Sequence, residues 1–232
     1  MQPKVAEEIT RFTPEWAKLR AQHHGSVCTH TLNVLYLIFS SPDVLQMSKE
    51  DQNILRWAAL LHDICKLSTP KIEGKDHIHP FKSGKSTLLS FRKSGILDLS
   101  TDEKRLAFKT VTDAISQSRQ PVSPDYVECF RKKGQPYCHS VHSHHLLSDI
   151  FLNLWETLAP RGSFVDLVFR LVFFHQSLQG AEEFPPMVAL SKEERLIYCD
   201  ERFFKLILQL MICDSNSYQF VYNPDGKMSL RV

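Results

Sequence analysis

The chain has 232 residues, of which 43% are hydrophobic and 23% charged, a composition typical of a globular protein with one sizeable core. The 28 Lys and Arg residues nearly balance the 26 Asp and Glu residues, and the net charge of +2 excludes a strongly basic surface for a long nucleic-acid track or an anionic membrane. Histidine is more unusual, because the chain has 11 copies of the residue that most often binds transition metals.

The cysteines and the start of the chain indicate a compartment. The six cysteines form no C-x-x-C pair, so they show no zinc-ribbon or redox pattern. The first residues lack an apolar signal core, and no stretch approaches the roughly 18 uninterrupted apolar residues of a membrane span. We expect a cytoplasmic, intracellular protein with free thiols and no membrane partner.

Helical periodicity dominates the chain from residue 30 onward. Residues 30–40 predict a largely apolar helix that stops before Pro42. The segment Ser48-Lys-Glu-Asp51 has the form of a capping box, and it opens a helix that runs to the doublet His62-Asp63.

The next segments predict two more helices and a loop. One helix follows Gly84 and stops at Gly95. Ser100-Thr-Asp-Glu103 has the form of another capping box, which opens a helix that ends before Pro121. Residues 121–143 contain three prolines and little periodic signal, so we expect a loop or an insertion there.

The last third predicts further helices and a different tail. Helices resume at 144–159 and 163–179, and the longest is expected over 191–214, beginning at Ser191-Lys-Glu-Glu194. Residues 218–232 have β-rich flanks around Asn-Pro-Asp-Gly, which predicts a hairpin. The chain therefore reads as one all-α domain over 1–232, with a small C-terminal β-hairpin and a variable region near 96–165. Five phenylalanines at helical spacing are expected in the core: Phe169, Phe173, Phe174, Phe203 and Phe204.

Six residues that can bind metal lie on these elements or beside them. A buried histidine–aspartate doublet without partners costs several kcal/mol, so such a pair is hydrogen-bonded, ion-paired or bound to metal. Most of the six are flanked by core-type apolar residues, and helices of a bundle present such groups inward to a shared site. The six are His30, His62, Asp63, His79, His175 and Asp214.

This H…HD…D pattern resembles the HD-domain superfamily of metal-dependent phosphohydrolases, which fold as helical bundles. The resemblance covers most of the chain and implies a single HD-type domain. Binuclear members add two histidines between the doublet and the final aspartate, and His79 and His175 stand where these are expected. Members often read His-Asp-Ile-Gly-Lys, whereas here Cys65 replaces the glycine and Lys66 is kept.

The resemblance implies one or two divalent transition-metal ions. Histidine nitrogens combined with carboxylate oxygens suit Mn, Fe, Ni, Co or Zn better than Mg. Asp63 is the expected bridging ligand and orienter of the attacking water, and Lys66 is expected to neutralise charge on a phosphoryl group. Asp63 and Lys66 are therefore the candidate catalytic residues.

Three segments suggest the substrate, because they resemble the HD portions of tRNA nucleotidyltransferases and of nucleic-acid end-healing enzymes. They are residues 23–32, 62–66 and 74–80. We expect a phosphodiesterase or phosphomonoesterase whose partner is a phosphorylated small molecule, a nucleotide or an RNA end. The alternative is a di-iron oxygenase of the same superfamily acting on a small hydroxylated or phosphonate substrate. A third hypothesis is a regulatory module that binds metal without turnover.

Several of these residues keep a second interpretation. His77 could replace His79 as a ligand, and His175 could be a core histidine with its own partners. His23, next to His24, either faces the substrate or belongs to a polar loop.

Two further patterns imitate known sites. Ser83-Gly-Lys-Ser86 resembles the end of a phosphate-binding loop, but residue 79 is not the required glycine and no strand precedes it. Lys82 and Lys85, close to a helix N-terminus, still suit an anionic substrate. A histidine cluster matches no structural zinc pattern and is expected to be a polar loop; its members are Cys138, His139, His142, His144 and His145.

Overall fold

Helices make up most of the structure. In the computed structural model the described residues are 11, 26–66, 79–117, 119–121, 140–142, 154–178, 190–217, 220–222 and 228–230. Their helices are α1 Ser26–Ser40, α2 Pro42–Leu45, α3 Lys49–Leu61, α4 His79–Lys93, α5 Asp102–Gln117, α6 Phe164–Phe174, α7 Lys192–Tyr198 and α8 Glu201–Ser217. Residues 154–158 are also helical. The predicted all-α bundle is confirmed, and none of the helices in these ranges combines the length and the apolar character that crossing a membrane requires.

Two short antiparallel strand pairs accompany the helices. Strand β1, Arg119–Pro121, pairs with β2, Ser140–His142. Strand β3, Phe220–Tyr222, pairs with β4, Met228–Leu230, within the tail whose pattern predicts a hairpin. Strands β1 and β2 were not expected, and they lie at the two ends of the segment predicted as a loop.

Helix α4 begins more than one turn earlier than the sequence indicated. The expected start was after Gly84, but the helix begins at His79 and ends at Lys93. Pro80 is compatible with this start, because a backbone N–H in the first helical turn has no acceptor within the helix. His79 is consequently the first residue of a helix rather than part of the preceding loop.

The long helix expected over 191–214 is two helices. α7 ends at Tyr198, and Cys199 leaves the helical region with φ −109° and ψ 80°. The Asp200 carboxylate then accepts a hydrogen bond from the Phe203 N–H at 2.9 Å, as an N-terminal cap does. α8 therefore starts anew and continues to Ser217, which places Asp214 in its last turn rather than at its end.

The predicted caps have mixed outcomes. Ser191 and Glu194 form the full capping box at α7. Ser48 accepts the Asp51 N–H at 3.0 Å, as predicted. At α5, by contrast, the cap is Thr101 rather than Ser100, since Thr101 Oγ1 accepts the Lys104 N–H at 3.2 Å.

The core is an aromatic layer centred on α6. Phe169 stacks on Trp155 with ring centroids 4.3 Å apart, and Phe173 lies against Phe81 of α4 at 4.8 Å. Four of the five phenylalanines expected in the core are fully buried. Phe204 is the exception with 51% of its surface exposed, because its neighbour Phe203 takes the inward-facing position at the start of α8.

A buried ion pair joins α6 to the junction between α7 and α8. The Arg170 guanidinium donates to both oxygens of Asp166 at 2.8 and 2.6 Å. It also donates to the Tyr198 carbonyl at 2.6 Å and lies 3.3 Å from the Asp200 carboxylate. Asp166 further accepts the indole N–H of Trp155 at 2.7 Å. These groups form the Asp166–Arg170 cluster, in which charges on both residues have partners.

Candidate metal centre

The six predicted ligands come from three helices and from the turns that follow two others. His30 lies near the start of α1, and Asp214 in the last turn of α8. His62 and Asp63 directly follow α3, His79 begins α4, and His175 follows α6. The bundle brings all six side chains together, in two groups of three whose ligand atoms lie within 4.8 Å of one another.

The first group, which we call group A, consists of His30, His62 and Asp214. His30 Nε2 lies 2.9 Å from Asp214 Oδ1 and 3.3 Å from His62 Nε2. His62 Nε2 is 3.6 Å from the same Asp214 oxygen. The two histidines are buried, whereas the Asp214 side chain is 18% exposed, so group A is the more accessible of the two.

The second group, group B, consists of Asp63, His79 and His175. Asp63 Oδ1 lies 2.9 Å from His79 Nε2 and 3.7 Å from His175 Nε2. The two histidine nitrogens are 3.1 Å apart. All three residues are at most 2% exposed, so group B is sealed inside the bundle.

Asp63 links the two groups. While its Oδ1 faces group B, its Oδ2 lies 3.3 Å from His30 Nε2 and 3.6 Å from His62 Nε2 in group A. The turn after α3 makes this possible, because it carries Asp63 into the bundle directly behind His62, the C-terminal cap of that helix. One carboxylate therefore presents an oxygen to each group.

Hydrogen bonds fix the direction of two imidazole rings. His62 Nδ1 lies 2.7 Å from the Ala59 carbonyl, and His175 Nδ1 lies 2.7 Å from the Val172 carbonyl. A carbonyl only accepts, so each Nδ1 carries the proton. In the neutral ring Nε2 then has a free lone pair, which points into the cluster. This arrangement favours a cation, since lone pairs brought this close repel one another.

Two buried carboxylate oxygens complete a set of ligand atoms that fits a metal ion. Asp63 Oδ1 and Asp214 Oδ1 accept no hydrogen bond from the described residues, despite nitrogen atoms 2.9 Å away. A buried carboxylate oxygen without a donor costs several kcal/mol. Four imidazole nitrogens and two carboxylates suit a divalent transition metal, which would satisfy these oxygens and lone pairs together. These six residues therefore fit a bound divalent transition-metal ion.

The charges of the metal-free cluster already depend on one another. Burial lowers the pKa of His30, but the Asp214 and Asp63 carboxylates outweigh it and raise this pKa above its usual 6.5. Burial raises the pKa of Asp63, but the charges of His62 and Lys66 outweigh burial and hold this pKa well below its usual value. Asp214 likewise has a lowered pKa in spite of burial, because of His30 and His62. Both carboxylates are thus ionised at neutral pH.

His175 behaves in the opposite way. Burial, together with the neighbouring His79 and His62, lowers the pKa of His175 to about 4. The ring is therefore neutral at physiological pH, which is the protonation state that a metal ligand requires.

Lys66 lies where the cluster meets the surface. Its ammonium contacts Asp63 Oδ2 at 2.5 Å, and its side chain is 28% exposed. The 62–66 turn holds this geometry, since the Lys66 N–H donates to the Asp63 carbonyl at 3.0 Å. A cation partly open to solvent beside the centre can contact an anionic substrate.

Gly84 explains how α4 and α6 approach closely enough to form group B. A Cβ at this position would lie 2.7 Å from Phe173 Cδ2 and 3.2 Å from Phe169 Cε2. Gly84 is five residues after His79, and Phe173 is two residues before His175, so the contact joins α4 and α6 within about two helical turns of the histidine pair. Gly84 belongs to the segment that resembles the end of a phosphate-binding loop. In the structure it makes a packing contact between α4 and α6.

The remaining candidates have different positions. Lys82 is one turn after His79 on α4, whereas the Lys85 ammonium donates to Ser116 of α5 at 2.5 Å. Cys65 is half-buried, and its N–H donates to Ser83 at 3.2 Å. His23, His24 and His77 lie outside the described residues, as does the histidine cluster except for the backbone of His142.

Three further residues of this centre carry no motif that predicts them from the sequence. Ser217 Oγ is 2.7 Å from His30 Nδ1, and the Asn33 amide donates to the Ser217 carbonyl at 3.3 Å. Gln176 Nε2 lies 3.4 Å from His79 Nε2. Their spacing was the available signal, because Asn33 and Ser217 lie three residues after His30 and Asp214, and Gln176 follows His175.

Comparison with known proteins gives one match. The family model of the HD domain matches residues 27–199, about three quarters of the chain. Asp214 and Ser217 lie beyond the matched residues, although the fold returns them to the centre. Neither the curated proteins nor the solved structures contain a match to this chain.

Proposed function

Because the chain belongs to the HD-domain superfamily of metal-dependent phosphohydrolases, we propose that it hydrolyses a phosphate ester of a nucleotide or of an RNA end. Asp63 carries this proposal, since its two oxygens face groups A and B separately. Such a carboxylate is suited to hold two divalent ions side by side. Group A with Asp63 would hold one ion, and group B the other.

The donor set limits the metals. We propose Mn, Fe, Ni, Co or Zn, because four imidazole nitrogens are poor partners for Mg. When bound, such an ion lowers the pKa of a water molecule towards about 7 and draws electron density from a phosphoryl oxygen. The more accessible Asp214 side of group A is where we expect substrate to enter, since group B is sealed.

The chain's own residues supply positioning and charge. The Asp63 carboxylate stays ionised at neutral pH, because its pKa is lowered. It can therefore orient the attacking water as well as bind metal. The Lys66 ammonium, held by Asp63 at 2.5 Å and partly exposed, can approach a phosphoryl oxygen and neutralise its negative charge. Hydrolysis forms a bond from water oxygen to phosphorus, breaks the ester P–O bond and returns a proton to the leaving oxygen.

The substrate class rests on two supports. The sequence segments that resemble nucleic-acid end-healing enzymes include His30 and the 62–66 turn. Lys82, half-buried one turn after His79, adds a positive charge on the first part of α4. His23 belongs to the same proposal as a substrate-facing residue.

The test is an activity screen of the purified full chain. Metal-free protein is supplied separately with Mn, Co, Ni, Zn or Fe and given cyclic nucleotides, nucleoside monophosphates and RNA with a terminal phosphate. We expect phosphate-ester hydrolysis with at least one metal, and a loss of at least about 100-fold in Asp63→Asn. Asp113→Asn, an exposed carboxylate on α5, is the matched control and should retain full activity.

Two outcomes would contradict the proposal. Full activity of Asp63→Asn would remove this carboxylate from the reaction. Oxygen consumption by the iron-loaded protein, without hydrolysis of any phosphate ester, would instead indicate an oxygenase built on the same ligands.

A further inference from the structure

The last residue of α8 lies directly behind one ligand of group A. Ser217 is 2% exposed, and its Oγ is 2.7 Å from His30 Nδ1. The same oxygen lies 2.6 Å from the Asp214 carbonyl, one helical turn back. A single hydroxyl therefore contacts the side chain of one group A residue and the main chain of another.

The chemistry of the three atoms sets the direction of these hydrogen bonds. The Asp214 carbonyl can only accept, and it lies in the last turn of α8, where carbonyls lack donor partners within the helix. The Ser217 hydroxyl donates its one proton there. Its oxygen must then accept, so His30 Nδ1 carries a proton and donates it to Ser217. His30 Nε2 is left facing Asp63 and Asp214.

His30 needs an external acceptor, unlike two other histidines of the centre. His62 and His175 each follow a helix, and each donates to a carbonyl three residues back, at Ala59 and Val172. Those carbonyls are available because they lie at helix C-termini. His30 lies inside α1, where the preceding carbonyls accept helical hydrogen bonds, so the acceptor must come from another helix.

The position of Ser217 is itself fixed from α1. The Asn33 side chain, 2% exposed, donates to the Ser217 carbonyl at 3.3 Å. Asn33 lies three residues after His30, so both contacts to Ser217 come from adjacent turns of the same helix. α1 and α8 are therefore connected on the side of the centre away from the ligand atoms.

We propose that Ser217 is a positioning residue that fixes the Nδ1-protonated form of His30 and so directs His30 Nε2 into group A. This inference rests on the proposed metal centre, but it does not depend on which reaction the centre performs. It extends the site beyond the residues that match the HD domain.

The test compares two substitutions of the same shape. Ser217→Thr keeps the hydroxyl, and a helical Thr can bond the carbonyl one turn back. Ser217→Val has the same volume without the hydroxyl. Ser215→Ala, at an exposed position in the same turn, is the control. Metal-free full-length protein is titrated with Co, and its visible absorption spectrum reports the ligand environment.

We expect Ser217→Val to bind cobalt about 10-fold to 100-fold more weakly than the original chain, with an altered spectrum. Ser217→Thr should restore both the affinity and the spectrum. Unfolding curves in chelator measure separately what the two lost hydrogen bonds cost in stability. The cobalt spectrum of the folded Val variant is the readout that a loss of stability alone would not change. Equal cobalt affinity and identical spectra for Val, Thr and Ser215→Ala would overturn the inference.

This experiment distinguishes the two proposals. A chain that binds cobalt with the expected Ser217 dependence but hydrolyses no phosphate ester would contradict the proposed function alone. A chain that binds no cobalt would contradict both.

Discussion

The Asp166–Arg170 cluster and the candidate metal centre both place carboxylates in the interior. Only the first supplies both oxygens of its buried carboxylate with hydrogen-bond donors. Asp166 Oδ1 accepts from Trp155 and Arg170, and Asp166 Oδ2 accepts from Arg170 and the Gly162 N–H. In the other cluster, Asp63 Oδ1 accepts no hydrogen bond from the described residues. Two equally buried carboxylates therefore differ in whether hydrogen bonds reach both of their oxygens.

The difference separates a structural ion pair from a binding site. Removing charges from water costs several kcal/mol per ion, which a complete set of hydrogen bonds can offset. The Asp166–Arg170 cluster has that set within its own side chains and backbone. Around Asp63, Lys66 pairs with one carboxylate oxygen, while the lone pairs of His62 and His175 converge with the carboxylates. No described residue donates to the second oxygen of Asp63, so this side of the centre suits a bound cation.

The largest expected effect concerns the Asp166–Arg170 cluster. Arg170→Ala leaves Asp166 buried without its charged partner, and we expect the free energy of unfolding to fall by about 3–5 kcal/mol. Metal stoichiometry should stay unchanged. Denaturant unfolding in chelator measures the first quantity, and metal analysis of the folded variant the second.

The control for this variant is Arg105→Ala. Arg105 pairs with Asp102 on the surface of α5, with 53% of its side chain exposed, so its removal should cost at most about 1 kcal/mol. Similar losses for the two arginine variants would show that burial of the Asp166–Arg170 cluster contributes nothing special.

The second effect concerns the candidate metal centre formed by groups A and B. Addition of a divalent ion at about 100 times its dissociation constant should stabilise the chain by about 2.7 kcal/mol, and this increment should vary with pH. A proton on His30 competes with the ion for the same lone pair, and the pKa of His30 is raised above 6.5. The increment should therefore be small below that pKa and grow as pH rises through it.

The metal-free chain should show the opposite trend in this range. Since the folded pKa of His30 is raised, its contribution to stability is complete below 6.5 and is lost as pH rises through the folded value. His175, whose pKa is lowered to about 4, destabilises the metal-free fold as pH falls from 6.5 towards that value. Thermal unfolding at several pH values, with and without ion, measures both trends. A metal increment independent of pH would contradict the assignment of His30 as a ligand.

A third variant tests whether packing, separate from charge, sets group B. Gly84→Ala places a methyl group against Phe173, which we expect to cost about 1–3 kcal/mol. The same strain should separate His79 from His175, so the number of bound ions should fall from two to one. Leu89→Ala, at an exposed position of the same helix, should leave the stoichiometry unchanged. Two ions bound to Gly84→Ala would mean that α4 moves without disturbing the histidines.

The six candidate ligands could be chosen from the sequence because most of them adjoin apolar helical runs and because their H…HD…D order resembles that of the HD superfamily. The residues that hold their rings in place could not. Ser217 is 187 residues from His30, and its role depends on how α8 packs against α1. Gly84 carried a misleading local pattern, whereas its function lies in a contact with another helix.

The errors in helix boundaries have a similar origin. The apolar pattern of 191–214 continues through Cys199 and Asp200, so periodicity indicated one helix. The break comes from tertiary contacts, since Asp200 caps α8 and lies 3.3 Å from Arg170 of α6. Local patterns report helical propensity, while a capping carboxylate with a distant partner becomes visible only in the folded chain.

The smallest expected effect separates two lysines on α4. Lys82 lies one turn after His79, while Lys85 lies about 9 Å along the helix axis from it and donates to Ser116. Lys82→Ala should raise KM for a phosphate ester by up to about fivefold, equivalent to about 1 kcal/mol, and Lys85→Ala should leave KM within about twofold. Each variant removes one charge, so each controls for the other in steady-state kinetics at constant ionic strength. Equal increases in KM would mean that the net positive field of this face attracts substrate, and that Lys82 makes no contact of its own.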